Sequence, residues 1–346
     1  MFASQLGNQL MNLGHEVILV FVFPGKATLP FKGNIFHLNG KPSRKMFDIK
    51  AWKTLAGIIA SERPDIVQAN AGDTLKYAVS SKWVFNWKQP IVFRNASTIS
   101  LYIKSKPAKI LHGIYFRHAD KVLSVSNTSA TDFINLYPSY KSKVETIPVG
   151  IEEQPLPVTE HSANGPFRII HVGGFSFEKN HAGLIRIFGK LIAEGADAHL
   201  ELVGDGVLMD AVRKQVSAAG LDARVVFRGY CSNAMELIAA ADLLVLPSII
   251  EGLPGVILEA FYCKTPVVAY NVGGISEIVR NNETGFLVEK NDEDGFVAAI
   301  RNALNRNDTL INKAWQLVTD EYTNSSITKR FIESYQQLIS TQTRVN

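Results

Sequence analysis

The chain has 346 residues, 46% of them hydrophobic and 20% charged, with a formal net charge of +4 at pH 7. That length and apolar content suit two α/β domains of ordinary size, and no window approaches about 18 uninterrupted apolar residues, which excludes a membrane-spanning helix. Only two cysteines are present, Cys231 and Cys263. They stand in no metal-type or CxxC spacing, which excludes a disulfide scaffold and reads as reduced, buried thiols.

In chain order, residues 1–13 read as a helix that ends at Gly14, and His15, Glu16 and Val17 lead into a strand over 16–22. Further strands are expected at 65–68, 90–94, 121–124 and 144–147, each a short apolar run followed by a helical stretch. Between the first two, Ile49, Trp52, Leu55, Ile58 and Ile59 recur at helical spacing. Most such stripes are core. The nearby Lys41, Arg44, Lys45, Lys50 and Lys53 would also suit a helix lying on a membrane surface. Lys104, Lys106 and Lys109, beside Tyr102, Tyr115 and Phe116, offer a second contact of that kind. Residues 1–150 hold 19 Lys+Arg against 8 Asp+Glu, whereas residues 151–346 hold 17 against 24. The basic half is expected to face an anionic partner, either membrane headgroups or a lipid-diphosphate acceptor. With no aromatic-interleaved basic motif or known binding module, nucleic acid is a poor partner. The first residues lack the basic start and small-residue cleavage site of a signal peptide. A cytoplasmic chain, peripheral on the inner face of the membrane, is the expectation.

Residues 151–166 (IEEQPLPVTEHSANGP) are polar and rich in Pro and Gly, and mark the domain boundary. Strands follow at 167–171, 199–203, 224–227, 243–246, 266–269 and 286–288. Short apolar runs alternating with helices imply parallel sheets covered on both faces. The strand at 167–171 runs into Gly173-Gly174-Phe175-Ser176-Phe177-Glu178-Lys179-Asn180. Two glycines open this turn, and Asn180 is placed to cap the next helix. Lys179 sits where a helix start disfavours a cation, so a bound anion such as a diphosphate explains it better than solvent does. Neither VGGFSFEKN nor VGDGVLMDA spells the GxGxxG dinucleotide fingerprint. His171 and His181 flank the loop, and the eight histidines form no metal set. Asp292-Glu293-Asp294 formally spells DxD, but acids at a helix start are ordinary capping chemistry. No metal and no other cofactor is expected.

The most informative segment is EGLPGVILEA, Glu251 to Ala260. It follows the strand at 243–246, so Glu251 lies in a loop at the strand's carboxyl end. Pro254 suits the first position of a helix, which needs no amide donor. Gly252 and Gly255 let a ligand approach the backbone, and the free amides of the helix start suit phosphate. Glu259 falls one to two turns further in, about 6–9 Å from the tip. That depth lies beyond a phosphate but within reach of hydroxyls on the same ligand. The layout fits a sugar–diphosphate–ribose molecule laid across one helix end.

Residues 166–290 resemble the donor-binding half of the retaining glycosyltransferases of family 4, which have the GT-B fold. The stretches that carry the resemblance are HVGGFSFEKNHAGLI (171–185), LELVGDGVLMDAV (200–212), VVFRGY (225–230), AADLLVLPSIIEGLPGVILEAFYCKTPVVAYNVGGISEIV (240–279) and NNETGFLVEKND (281–292), in the family's order and at its spacings. The likeness continues more loosely through residues 1–150. It implies an α/β chain of two Rossmann-like domains, with parallel sheets facing each other across a cleft. Residues 1–150 would bind the acceptor, with a C-terminal helix from about 327 to 346 packing back on them. Residues 151–326 would bind the nucleotide-sugar donor. Residue by residue, the resemblance gives Glu251 the donor-sugar hydroxyls and Glu259 the ribose. It gives the amides of Leu253, Gly255 and Val256, beside Gly252, the diphosphate. Gly173, Gly174 and Lys179 would line the leaving group, and Tyr230, next to Gly229, would pack on the base.

Three departures stand out. The family opens with a strand and a glycine-rich turn, which are expected to be missing here because residues 1–13 already read as the following helix. An arginine usually stands where this chain has Gly174, so Lys179 would carry more of the charge. The family often places a histidine after the strand matched by 90–94, whereas this chain has Arg94 and Asn95, which become candidates for sugar or acceptor contacts. The implied activity is retaining sugar transfer to a glycan or lipid-linked acceptor, in bacterial surface polysaccharide or glycolipid synthesis. The alternatives are a sugar-nucleotide epimerase or hydrolase on the same fold, and a donor-binding subunit that has lost transfer.

Overall fold

A computed structural model describes residues 2–25, 30–44, 47–155 and 165–343. The chain divides into two compact units, one of residues 1–152 with 324–346 and one of residues 153–323. Most of the expected linker at 151–166, and Lys45 of the basic cluster, lie outside the described residues.

In the first unit, α1 (Phe2–Asn12) leads to β1 (Ile18–Phe21) and β2 (Asn34–His37). Next come α2 (Ile49–Glu62), β3 (Val67–Ala69), α3 (Gly72–Phe85), β4 (Ile91–Asn95), α4 (Lys106–Arg117), β5 (Lys121–Ser124), α5 (Asn127–Leu136) and β6 (Val144–Thr146). All of its strands pair in parallel. β1 and β2 form one sheet and β3-β4-β5-β6 another; among the described residues no strand joins them. The split shows in burial. Every residue of β4 is buried, whereas every residue of β1 is only half-buried. The expected strands of this half are all present, and β2 is an addition.

Successive strand residues point to opposite faces, and β4 serves a core on each. Ile91 and Phe93 join Trp52, Leu55 and Ile59 of α2 and Leu75 of α3. The stripe on α2 is therefore core, apart from Ile49 at its exposed start. Tyr115 and Phe116 of α4 are buried as well, which removes them from the surface contact expected of them.

The second unit alternates strand and helix: β7 (Phe167–Val172), α6 (His181–Ala193), β8 (Ala198–Val203), α7 (Met209–Ala218), β9 (Val225–Gly229), α8 (Ala234–Ala239), β10 (Leu243–Leu246), α9 (Gly255–Tyr262), β11 (Val267–Tyr270), β12 (Phe286–Val288), α10 (Glu293–Leu304) and α11 (Asp308–Glu321). One six-stranded parallel sheet results, in the order β12-β11-β10-β7-β8-β9. Ile169, Leu200, Leu202, Val245 and Val268 of the sheet pack with Leu184, Phe188 and Leu191 of α6 and with Phe296 and Ile300 of α10. The chain then adds α12 (Asn324–Thr343) to the first unit. There Ile327 and Phe331 join Leu6 and Leu10 of α1 against Val92, Leu123 and Ile147, on the second face of β4 and β5.

Candidate functional site

The strand order of the second unit locates a crevice. From β7 the chain moves outward through β8 and β9, then returns to place β10 on the other side of β7. β7 and β10 are neighbours, with Leu243 opposite Ile169 and Leu244 opposite Ile170. Where strand order reverses in this way, the loops leaving the two carboxyl ends diverge, and open α/β sheets bind ligands between them. The loop after β7 carries Gly173, Gly174 and Lys179. The loop after β10 carries Glu251, Gly252 and Leu253 and opens α9.

The two loops are stitched together. The Ile249 amide donates to the Glu178 carbonyl at 2.8 Å. The Asn180 side-chain amide donates to the Pro247 carbonyl at 3.1 Å. Lys179 Nζ lies 2.6 Å from Glu251 Oε1, an ion pair whose side chains are 22% and 9% exposed. Asn180 adopts a left-handed conformation (φ 52°), and its side-chain oxygen caps α6 by accepting from the Gly183 amide. This chemistry ends the turn and holds Lys179 at the crevice.

Glycines let neighbouring loops touch backbone to backbone. Gly204, after β8, has φ +138°, and a Cβ there would collide with the Gly173 carbonyl. Gly273, after β11, has φ +58°, and a Cβ there would collide with the Glu251 carbonyl. Neither residue was singled out from the sequence, because the need for glycine comes from strands far apart in the chain. Gly174 is different: a Cβ there meets only the Asp205 carbonyl, at an ordinary 3.5 Å.

Pro254 is the N-cap of α9, with φ −75°, and Gly255 is its first residue. The proline thus stands one position earlier than the sequence suggested. The Ile257 amide turns back to the Pro254 carbonyl at 3.2 Å. The amides of Gly255 and Val256 precede the first full turn and have no carbonyl within the helix to meet. Glu259 lies on the next turn. Among the described residues no side chain pairs with its carboxylate, and burial raises its pKa above the usual carboxylate range. Cys263, one turn further, is buried and close enough to that carboxylate for its thiol to be pushed up to about 12. Tyr230 follows β9 and stands 72% exposed.

Beneath the loop, His171 and His181 are buried with their rings 4.7 Å apart, and Phe175 stacks on His181 at 4.0 Å. His171 Nδ1 lies 2.9 Å from the Val245 carbonyl, so this nitrogen carries the proton. Burial pushes His171 down to about 3 and His181 to about 4. Both are neutral and support the loop from beneath. At the start of α10, Asp292 caps the helix by accepting from the Gly295 amide, and Glu293 and Asp294 pair with Arg186 and Lys190. The DxD triplet is thus engaged by its own chain.

Arg94 and Asn95 end β4. Both lie in the first unit and are buried, at 2% and 1% exposure. Arg94 donates to the carbonyls of Ile147 and Pro148, with its guanidinium 3.9 Å from the Phe2 ring. Asn95 donates to Ser124 Oγ and to the Ser129 carbonyl. Both side chains are thus buried structural contacts of the first unit rather than the exposed groups that the expected sugar or acceptor contact calls for.

Comparison with known proteins gives the family and the fold. The family described as Glycosyltransferase Family 4 matches residues 1–154, and Glycosyl transferases group 1 matches residues 155–315. The chain belongs to glycosyltransferase family 4. One relative in the family, the N-acetyl-alpha-D-glucosaminyl L-malate synthase of Bacillus anthracis, is 33% identical over 173 residues, which is 50% of this chain and 42% of that protein. A second is the N-acetylgalactosamine-N,N'-diacetylbacillosaminyl-diphospho-undecaprenol 4-alpha-N-acetylgalactosaminyltransferase of Campylobacter jejuni. It is 26% identical over 241 residues, 67% of this chain and 65% of the relative. Both alignments thus span less than two thirds of the relative's length. Among solved structures, Anabaena HepE in complex with UDP-glucose superposes with a TM-score of 0.80 at 19% identity, over 97% of this chain and 94% of the other. That likeness shows the GT-B fold.

Proposed function

We propose that the protein is a retaining, metal-independent glycosyltransferase. It would move a sugar from a nucleotide-diphosphate sugar to a glycan or lipid-linked acceptor in bacterial surface polysaccharide or glycolipid synthesis, working at the inner face of the cytoplasmic membrane. The observation that carries the reading is the arrangement at the β7–β10 reversal. A cation, a helix start and two carboxylates stand in the order that a diphosphate, a sugar and a ribose require. Lys179 and the amides of Gly255 and Val256 take the diphosphate, with Gly173 and Gly174 giving it room. Glu251 takes donor-sugar hydroxyls, Glu259 takes the ribose and Tyr230 the base. The Campylobacter relative is named for a diphospho-undecaprenol acceptor, and HepE was solved with UDP-glucose; both names fit this substrate class.

Retention needs nucleophile and leaving group on one face of the sugar. The acceptor hydroxyl attacks the anomeric carbon as the bond to the diphosphate breaks, and the departing phosphate oxygen takes the hydroxyl proton. The protein positions these groups and stabilises the charge growing on the diphosphate. Lys179, paired with Glu251 before the donor arrives, exchanges a carboxylate for a phosphate.

Calorimetry with UDP, GDP, ADP and dTDP on the wild type and on Glu259→Ala tests the reading. The expected result is tight binding of one nucleotide, weakened at least about tenfold by the substitution because ribose hydroxyls lose a charged acceptor. Binding that is equal in the two proteins would remove Glu259 from the site. No binding by any nucleotide would overturn the donor assignment.

A further inference from the structure

The first unit carries a surface that the donor site does not use. Residues 74–119 contain no Asp or Glu. Within that stretch, α4 buries Tyr115 and Phe116 and turns its opposite face outward. On that face Ile110 is 66% and Ile114 45% exposed. The side chains four apart, Lys106, Ile110 and Ile114, form one stripe along the helix, flanked by Lys109 and Arg117. Among the described residues no carboxylate lies within ion-pair distance of Lys106, Lys109 or Arg117. Trp83, at the end of α3, is 46% exposed and adjoins the same helix: its ring stacks on Tyr115 at 5.7 Å and meets His118 edge-on at 5.0 Å.

We propose that this face of α4, with Trp83, docks on an anionic lipid bilayer. Three observations point to lipid rather than solvent. Exposed isoleucines on a helix are unfavourable in water but fit the boundary between headgroups and acyl chains. Unpaired lysines and an arginine along the same stripe match anionic headgroups. An exposed tryptophan with one face on the protein suits the interfacial layer, where an amphipathic ring is at home. Acidic proteins would also meet the cations, but they would leave the aliphatic stripe without a match. The surface differs from the one suggested by sequence, since Tyr115 and Phe116, two of the three aromatic residues expected to flank the lysines, are buried, and the contact is made by Ile110, Ile114 and Trp83.

The proposal gives a place to the membrane-bound work proposed above, but its test does not depend on the donor site. The full chain is sedimented with vesicles of phosphatidylcholine alone and of phosphatidylcholine with phosphatidylglycerol, without nucleotide. Binding to the anionic vesicles only, weakened by salt, is expected. K106E/K109E should lower the partition at least about tenfold, since each lost cation weakens binding roughly fivefold. I110S/I114S should also lower it while leaving the charge intact. Nucleotide affinity, measured beside it, should not change in either variant, which separates this surface from the donor site. Failure of the wild type to bind anionic vesicles would overturn the proposal, as would binding that K106E/K109E retains in full. Self-association of the wild type that I110S/I114S abolishes, without vesicle binding, would reassign the face to a second copy of the chain.

Discussion

Both units place polar residues at the carboxyl end of a central parallel strand, yet only one builds a binding site there. In the second unit, β7 ends in a loop whose Lys179 stays partly open, held by Glu251 from the loop after β10. In the first unit, β4 ends in Arg94 and Asn95, and both side chains turn into the core. Phe2 and Phe331 cover the guanidinium, carbonyls take its hydrogens, and burial pushes its pKa down to about 9. The difference lies in what faces the strand end. A reversal of strand order leaves a gap between loops, whereas α1 and α12 close the corresponding space over β4 and β5. A cation at a strand end is therefore available to a ligand only where the topology keeps the space beside it open.

The largest effect should come from removing that cover. Phe331→Ala opens a cavity over Arg94 and should destabilise the first unit by about 3–5 kcal/mol. Hydrogen exchange should show the loss in residues 1–152 and leave 153–323 protected; a loss shared by both would mean that they unfold together. Lys179→Ala should lower kcat on the order of 10²–10³-fold, because the charge on the leaving diphosphate loses its cation. An unchanged kcat would place the chemistry elsewhere.

Acid should weaken the second unit next. His171 and His181 are neutral in the folded state, with pKa values of about 3 and 4, whereas the unfolded chain takes up those protons near 6.5. Their stability contribution is complete above pH 6.5 and is lost as pH falls from there towards 3–4, by at most about 1.4 kcal/mol per pH unit for each. Glu259 works in the opposite sense just above 4.5, where its raised carboxyl favours the folded state as pH falls. Urea unfolding of the second unit should therefore weaken between pH 6.5 and 5, and His181→Phe should flatten the profile. A profile unaffected by that substitution would mean that His181 is already protonated when folded.

The smallest expected effect is a gain. Gly174 has room for a side chain, and related transferases are expected to carry an arginine there. Gly174→Arg should tighten nucleotide-diphosphate binding about tenfold, or about 1.4 kcal/mol, by adding a charged donor to the phosphate loop. Weaker binding would mean that the loop is already filled.

The sequence made most of the strand positions legible through its apolar runs. β5, β10 and β12 begin and end where those runs do. β2 escaped notice because Asn34-Ile35-Phe36-His37 is mostly exposed and has no continuous apolar run. Glu251, Glu259 and Lys179 could each be singled out from local chemistry. Their joining could not, since Lys179 and Glu251 are 72 positions apart and meet only through the adjacency of β7 and β10. The glycines at 204 and 273 were hidden for the same reason: the carbonyls that exclude a Cβ belong to other loops. Arg94 became a candidate through the family's histidine position alone, and its burial could not be read locally, because the rings that cover it stand at positions 2 and 331.

The path of the chain also sets an order of events during synthesis. The first unit needs Ile327 and Phe331 of α12 to close its second core, and the ribosome makes them only after residues 153–323. At about 5–20 residues per second, the nascent first unit waits on the order of ten to thirty seconds with Val92, Leu123 and Ile147 uncovered. The second unit, drawn from one continuous segment, can close as soon as it emerges. A nascent chain paused before α12 should therefore already hold nucleotide while its first unit still recruits chaperones.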